Sequence, residues 1–555
     1  MDDAFVLTET YTRTDNTKDT LKRIDDTIEE VGVSIFVTTL TSSLVFAFGG
    51  ISSIPACYWL CQYAAPTIII DFIFQITFFI ALIVIDERRI KERRRDCFVC
   101  STVTDDVVNL PEPVDTIFGR FMNYFSNILM NFRVKVVIIF SFLVMFAGFV
   151  YSVSKWTQEF NYLTVLSSDS YIIDYHTYHT LLSDRSRVQP FIYFRDVDQS
   201  DDRVQEQMQE YVNRIVDLEA ISNPPAFFWL KDFKEFVDDM SLHSLNFTQQ
   251  INNFLTNSTF KKLYRNQIVF DGDNNILTSR TQVYMDKIDT VDVTSQIDAL
   301  NAQRLVSKTQ QINQGRDDWA FFTFTTNFYI WEFNSIVIWE MTLTAIICVS
   351  SISVVGSLFV PHYSAILYIA PLVSVSLIDV VGILQIAGIH INFVSYFALL
   401  TSIGLLVDFF IHFLIRYHDS EKDTREGKVK DTLQTIGISI LKGGITTFLG
   451  VLPLVLSSSE VFFTIFVAFL GLVCVGVTHG LILLPVLLSL FGPINIVEND
   501  TRKLVSQDKN NELEDEINGT EEEVELQKEV ESQEEMNVLK VEINRSHEGG
   551  NELQN

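Results

Sequence analysis

The chain has 555 residues, a mean hydropathy of +0.21 and a formal net charge of −29. An acidic balance of this size argues against a nucleic-acid partner, which would require clustered Lys and Arg. Apolar residues gather in blocks too long for soluble helices, so the sequence predicts a multi-pass membrane protein, in the plasma membrane or an endomembrane, rather than a soluble one.

Eight blocks satisfy the length of about 20 apolar residues that a membrane-spanning helix needs. Ahead of the first block, residues 1–7 are too short to span a membrane, and the segment from Thr8 to Glu30 is polar, with Leu21, Ile24 and Ile28 at helical spacing. This pattern predicts an interfacial helix that leads into the first span. The predicted spans are residues 31–55, 61–85, 134–154, 336–360, 365–388, 392–416, 436–458 and 461–491.

Lys and Arg collect after the second and the sixth predicted spans, which predicts that both of these loops are cytosolic. An even number of crossings separates them, as this orientation requires. Residues 156–335 then lie on the extracellular or luminal side. The tail, residues 494–555, lies in the cytosol, and its 18 Asp and Glu against 6 Lys and Arg are typical of a disordered segment.

The cytosolic linker at residues 86–133 contains Cys97 and Cys100 beside a basic membrane edge. A juxtamembrane pair of this kind is open to palmitoylation, and the same spacing is half of a zinc site. We favour palmitoylation over zinc because no second ligand pair follows, and the absence of any special role stays open.

The external segment reads as a mixed α/β domain that no disulfide supports, since none of its residues is a cysteine. Strand and helix patterns follow one another in the order βαββαβ, which is a ferredoxin-like unit. These elements are predicted at residues 191–194, 204–218, 267–270, 279–285, 291–312 and 320–324.

An insertion at residues 224–264 interrupts this unit and is rich in Phe and Trp. Its segment Phe227–Leu230 is either the hydrophobic core of the insertion or the wall of a lipid tunnel, and we favour the core. Asn246 and Asn257 begin glycosylation sequons, and both are predicted to carry N-linked glycans on the external side.

The sixth predicted span contains an acid and an imidazole, Asp408 and His412, in an otherwise apolar segment. A charge at such a position costs about 3 kcal/mol on insertion scales and usually marks a proton or ion path. The two residues are four apart and therefore share one helical face. A structural role for the pair remains the alternative. Asp71 and Asp379 are further intramembrane acids of uncertain role.

The chain repeats itself at an offset of 405 residues. Residues 31–35 then align with residues 436–440, and Asp3 falls on Asp408. Internal repeats are typical of secondary transporters, whose sites lie between the repeats. The second copy has one span, an external domain and five more spans, whereas the first has two spans and the tip of an acid-bearing helix. We therefore expect the natural transcript to extend upstream of Met1.

Several of these motifs resemble the Patched and Niemann-Pick type C group of the resistance-nodulation-division (RND) superfamily. Residues 70–89 look like the last helix of a sterol-sensing domain, and Gly404–Asp408 is similar to the GxxxD motif of the tenth helix. Asp2 and Asp3 look like the end of the equivalent motif in the fourth. The family spacing pairs Asp2 with Asp408, whereas the ungapped repeat pairs Asp3. Helices one to three and the glycine of the first motif are absent.

The resemblance implies an RND-type membrane α-helical bundle of about eight transmembrane helices with one extracellular or luminal domain. It also implies movement of a sterol or another lipid, coupled to a proton or sodium gradient. Asp408 would titrate, His412 would shuttle or orient the proton, Asp2 or Asp3 would be the symmetry mate, and Gly404 would allow close helix approach. The alternative is a non-transporting sterol-binding receptor or a regulator of signalling or trafficking.

We expect no enzymatic activity, cofactor or metal site, since the sequence shows neither a metal-ligand cluster nor a nucleophile and base pair. The predicted domains are residues 1–30 (end of the acid-motif helix and interfacial helix), 31–85 (last two helices of the first repeat), 86–133 (cytosolic linker), 134–155 (first helix of the second repeat), 156–335 (external α/β domain), 336–493 (five-helix bundle) and 494–555 (acidic tail).

Overall fold

The computed structural model describes residues 2–92, 94, 117–159, 162–182, 188–221, 227–285, 288, 292–360 and 364–494. Within these ranges, eight helices are long and apolar enough to cross a membrane, in agreement with the eight predicted blocks. The α-helices are α1 (Asp2–Arg13), α2 (Thr20–Gly49), α3 (Pro55–Phe74), α4 (Ile80–Lys91), α5 (Ile117–Leu129), α6 (Phe132–Val153), α7 (Tyr171–Leu182), α8 (Asp202–Val216), α9 (Trp229–Asp239), α10 (Phe247–Thr256), α11 (Ser258–Tyr264), α12 (Val293–Lys308), α13 (Asn327–Phe359), α14 (Ser364–Ile386), α15 (Phe393–Asp419), α16 (Arg425–Thr435), α17 (Gly437–Val451), α18 (Glu460–Thr478) and α19 (Leu484–Phe491).

Helix α15 lies inside the bundle and is buried along most of its length. It packs against α2, α13, α14 and α18. A helix that is apolar on nearly every face is stable only when other helices surround it or lipid does. Helices α3 and α4 would be surrounded by lipid, because almost none of their apolar segment is buried against the protein.

The first 30 residues, predicted as the end of an acid-motif helix followed by an interfacial helix from Thr8 to Glu30, divide at a different place in the structure. Helix α1 ends at Arg13, and α2 begins at Thr20 and continues without a break into the first span. Between them the Asp15 carboxylate accepts a hydrogen bond from the backbone N–H of Thr17 at 2.9 Å, a local turn that competes with helix. Helix α1 folds back against α2 and α17, and its Val6 and Leu7 are buried.

Two of the spans contain a π-helical turn, at Gln75–Phe79 between α3 and α4 and at His479–Leu483 between α18 and α19. These turns begin 404 residues apart, within one residue of the repeat offset. The last helix of each repeat therefore has the same irregularity at the same place. Such turns are frequent at functional sites.

The external domain is built on a four-stranded sheet of β1 (Phe191–Arg195), β2 (Ile268–Phe270), β3 (Ile276–Gln282) and β4 (Phe321–Phe324), in the order β2-β3-β1-β4. Each neighbouring pair is antiparallel. With α8 after β1 and α12 after β3, this is the predicted ferredoxin-like arrangement. The second hairpin strand begins at Ile276, three residues before the predicted start, because the turn closes early at Asn274, whose φ is +63°.

The insertion folds as three short helices, α9 to α11, packed on the domain. Phe228, Trp229 and Leu230 are buried in the same cluster as Phe254 and Tyr264, whereas Phe227 is exposed. Burial of three of the four apolar residues supports the interpretation of this segment as core.

Asn246 and Asn257 cap helices α10 and α11, and each side-chain oxygen accepts a backbone N–H of the following turn. The amide nitrogen, to which a glycan would be attached, is not used by either cap. The structure thus leaves both sequons compatible with the predicted modification.

We expect glycosidase treatment to sharpen the band of the wild-type protein expressed in eukaryotic cells, but not the band of a Thr248→Ala, Thr259→Ala double variant. These substitutions destroy both sequons and keep the asparagine caps, which an Asn→Gln pair would remove at a cost of about 1 kcal/mol each. An epitope inserted after Arg95 should be protease-protected in intact cells. Surface exposure of that epitope would refute the predicted orientation.

Candidate functional site

The acid and the imidazole of α15 lie at mid-helix and face the same side. Asn392 starts the helix with a capping box: its side chain accepts the N–H groups of Val394 and Ser395 at 2.9 and 3.0 Å, and the Ser395 hydroxyl oxygen accepts the backbone N–H of Asn392 at 2.9 Å. Asp408 is partly buried and His412 is buried. Four residues apart, both side chains point towards α2, as their spacing predicts.

Helix α2 meets this face with a row of hydroxyl groups, Ser34, Thr38 and Ser42, which we call the hydroxyl ladder. Ser34 Oγ lies 2.6 Å from His412 Nδ1, and Ser42 Oγ lies 3.4 Å from Asp408 Oδ1. All three hydroxyl groups are buried, so each needs a polar partner. The sequence analysis did not identify this row, although hydroxyls recurring every four residues within a span are a visible signal.

Helix α1 brings a second acid to the site. Asp3 Oδ1 lies 3.1 Å from His412 Nε2, and Thr38 Oγ1 lies 3.4 Å from the same oxygen. The Asp3 side chain is 19% exposed and that of His412 only 2%. Asp3 is thus the acid that the structure places opposite α15, through His412. Asp2 lies in α1, but its side chain falls outside the described residues.

The two ring nitrogens of His412 face different groups. Nδ1 faces a serine hydroxyl, which can rotate to donate or accept a hydrogen bond. Nε2 lies 3.1 Å from Asp3 Oδ1 without hydrogen-bond geometry. An imidazole between an acid and a hydroxyl group is an arrangement that can serve a proton relay.

Ion pairs fix α1 and α2 in this position. Lys442 of α17 lies 2.9 Å from Glu9 of α1. Arg23 of α2 forms a buried pair with Glu87 of α4 at 2.8 Å. Because these contacts join helices from different parts of the chain, the sequence alone does not predict them.

The structure gives different surroundings to the other predicted site residues. A methyl group built at Gly404 would meet the Phe46 ring of α2 at 3.4 Å. Asp71 is exposed on α3 and accepts a hydrogen bond from Gln75 at 3.0 Å. Asp379 is fully buried beside His479. Cys97 and Cys100 lie outside the described residues.

Among the residues that the structure describes, no group of three or more His, Cys, Asp or Glu is arranged to hold a metal ion. Asp408, Asp3 and His412 are the acids and the imidazole that the described residues bring to this site.

Residues 1–103 match the family described as the sterol-sensing domain of SREBP cleavage-activation. The chain is 24% identical to NPC intracellular cholesterol transporter 1 homolog 1b of Drosophila melanogaster, over 89% of this chain and 45% of that protein. It is 22% identical to Patched-related protein 9 of Caenorhabditis elegans, over 89% and 57%. Its fold is similar to the hedgehog release protein Disp from the water bear Hypsibius dujardini, with a TM-score of 0.62, 13% identity and coverage of 89% and 62%.

The chain spans about half the length of the curated relatives that it matches. The matches and the eight spans confirm the resemblance drawn from the sequence, the fold class and the multi-pass membrane location.

Proposed function

We propose that this Patched- and NPC1-type membrane protein of the RND superfamily moves a sterol or another lipid, and that a proton or sodium gradient drives the movement. The observation that carries the proposal is the contact of Asp408, His412 and Asp3 with the hydroxyl ladder. It joins α1 and α2, from the first repeat, to α15, from the second. Coupling sites of secondary transporters lie at such repeat interfaces.

A change of protonation can alter the packing of helices at this interface because the ionisable groups are partly or fully buried. A carboxylate that gains a proton loses its charge and becomes a hydrogen-bond donor, so its preferred partners on the ladder change. Two protonation states then favour two packings of α15 against α2. The lipid would gain access from the membrane in one packing and be released in the other.

The lipid class is inferred from the relatives. The Drosophila melanogaster relative is named a cholesterol transporter, and residues 1–103 match a sterol-sensing domain. This sterol-sensing match also favours the second candidate function, a sterol-binding receptor that does not transport. An enzymatic activity is not part of either proposal.

Dependence on a gradient separates the two candidates. The full chain is reconstituted into vesicles with a fluorescent sterol, and transfer to external acceptor vesicles is followed under a proton gradient, a sodium gradient or neither. We expect one gradient to accelerate transfer and an ionophore that dissipates it to remove the acceleration. Saturable sterol binding with transfer equal to that of protein-free vesicles under all conditions would support the receptor instead.

A further inference from the structure

A second acid and imidazole pair lies inside the bundle, away from the hydroxyl ladder. Asp379 of α14 and His479, the first residue of the second π-helical turn, are both completely buried. His479 Nε2 lies 3.1 Å from Asp379 Oδ2. The proposed relay through Asp408 and Asp3 does not use either residue.

The hydrogen bond of His479 fixes the tautomer of its neutral ring. Nδ1 lies 2.9 Å from the carbonyl oxygen of Val475. A carbonyl oxygen can only accept, so Nδ1 carries a hydrogen. A neutral ring would then leave the lone pair of Nε2 3.1 Å from a carboxylate oxygen, with no donor between them. One further proton on the pair, on Nε2 or on the Asp379 carboxyl group, removes this repulsion.

The surroundings make loss of that proton costly. Neither oxygen of Asp379 has a partner with hydrogen-bond geometry, and the buried Ser376 hydroxyl, one turn earlier, is also unpartnered. The Phe142 ring packs edge-on against His479 with centroids 5.0 Å apart. A pair without its proton would carry a net negative charge among apolar groups, which is unfavourable. A hard metal cation would require more oxygen ligands than one carboxylate and one hydroxyl supply.

The elements packed against the pair present few other ionisable groups. Helix α15 touches the π-helical turn through Phe409, whose neighbours in sequence include Asp408 and His412. Helix α6 has no ionisable residue within five positions of Phe142. The remaining charged and thiol groups on neighbouring helices are Arg133 and Lys135 of α6, Glu332, Glu340 and Cys348 of α13, Arg416, His418 and Asp419 of α15, and Glu460 and Cys474 of α18.

The π-helical turn that contains His479 packs against α15, the helix that carries Asp408 and His412. A Cβ atom built at Gly480, beside His479, would lie 3.1 Å from the backbone oxygen of Phe409, and one at Gly476 would lie 2.8 Å from the Phe409 ring. Asp408, the residue before Phe409, faces the hydroxyl ladder of α2. A change at the π-helical turn therefore acts directly on the position of α15.

We propose that Asp379 and His479 form a second intramembrane proton-binding site, which holds one proton between α14 and the π-helical turn after α18. The ligand is a proton, because one carboxylate and one imidazole at ion-pair distance can share a proton but supply too few oxygen ligands for a hard metal cation. Its occupancy sets the packing of the turn against α15. The site goes beyond the proposed lipid movement and does not depend on it.

The proton makes stability depend on pH in a defined way. In the unfolded chain Asp and His titrate near pH 4 and 6.5, so together they bind one proton between these values and none above them. The folded pair binds one proton throughout. Stability rises with pH only where the unfolded state binds more protons, so the pair's contribution is flat between about pH 4 and 6.5 and falls above pH 6.5.

The test compares melting temperatures of the full chain in lipid nanodiscs across this pH range. Asp379→Asn is the reference, since its amide can donate to Nε2 and binds no proton. We expect the difference between wild type and Asp379→Asn to be constant below about pH 4 and to decline above it, because the variant keeps His479 neutral when folded and protonates it on unfolding below about pH 6.5. The difference between wild type and His479→Gln should rise between about pH 4 and 6.5 and be constant above, because only the carboxyl group then holds the proton.

A difference between wild type and Asp379→Asn that does not change with pH would overturn the proposal. If Asp379→Asn does not fold, infrared titration of the wild type and of His479→Gln provides the comparison. A carboxyl or imidazolium band that persists above pH 6.5 in the wild type, and changes in the variant, is expected, and its absence contradicts the site. Neither measurement uses sterol or a gradient, so failure here is separate from failure of lipid transport.

Discussion

Asp408→Asn is expected to reduce gradient-dependent sterol movement to the rate of protein-free vesicles, while leaving the amount of folded protein unchanged. The amide has nearly the shape of the carboxylate and can still accept a hydrogen bond from Ser42, which lies 3.4 Å away. It neither binds nor releases a proton and carries no charge for a cation. The imposed gradient then has no acid on the α15 face of the candidate site through which to act. The measurement is fluorescent sterol transfer from vesicles under each gradient.

Asp71→Asn is the matched control for this substitution. Asp71 is also an acid within a span, but it is exposed on α3 and remote in sequence from both repeat motifs. We expect this variant to transfer sterol at the wild-type rate. Both variants must first show wild-type surface level and glycosylation. If Asp408→Asn moves sterol as fast as wild type under every gradient, transport coupling at Asp408 is refuted and the receptor becomes the better interpretation.

Hydropathy and periodicity predicted the spanning helices and the strands and helices of the external domain, because each of these elements has a hydrophobic pattern of its own. All eight predicted blocks coincide with spanning helices, and the βαββαβ pattern produces the order β2-β3-β1-β4. The place of the break between α1 and α2 was not predicted, since it depends on a turn at Asp15 rather than on hydropathy. The π-helical turns also leave no trace in hydrophobic spacing, because one extra residue changes no visible pattern in a span that has apolar residues on every face.

The sequence predicted the part of the candidate site that lies on α15, but not the contacts between α15 and other helices. Asp408 and His412 share a face because they are four apart on α15, and this spacing is local. The contact of His412 with Asp3 joins residues more than 400 positions apart, and the repeat alignment pointed only to Asp3 and Asp408. His479 was missed altogether. In sequence it is a lone histidine in an apolar span, and only the packing of α14 shows that it faces Asp379.

Replacement of His412 tests whether the imidazole carries a proton or only positions its neighbours. His412→Ala should lower gradient-driven sterol transfer by about tenfold or more, since a positioned proton-transfer group contributes at least that much. His412→Gln should be equally slow, although its amide can still hydrogen-bond Asp3 and Ser34, because an amide does not take up a proton. The readout is the transfer rate as a function of pH under the gradient that drives the wild type.

Exchange of the two partners separates a relay from a structural contact. Asp3→His combined with His412→Asp keeps one acid and one imidazole at the 3.1 Å contact between α1 and α15. It should recover a substantial part of the rate that His412→Gln loses, because the site again binds and releases a proton, with an altered pH profile. Ser34→Ala should shift this profile in the otherwise wild-type protein, since it removes the hydroxyl 2.6 Å from Nδ1. Wild-type rates and pH dependence in His412→Gln would instead show that the ring serves only to hold α1 against α15.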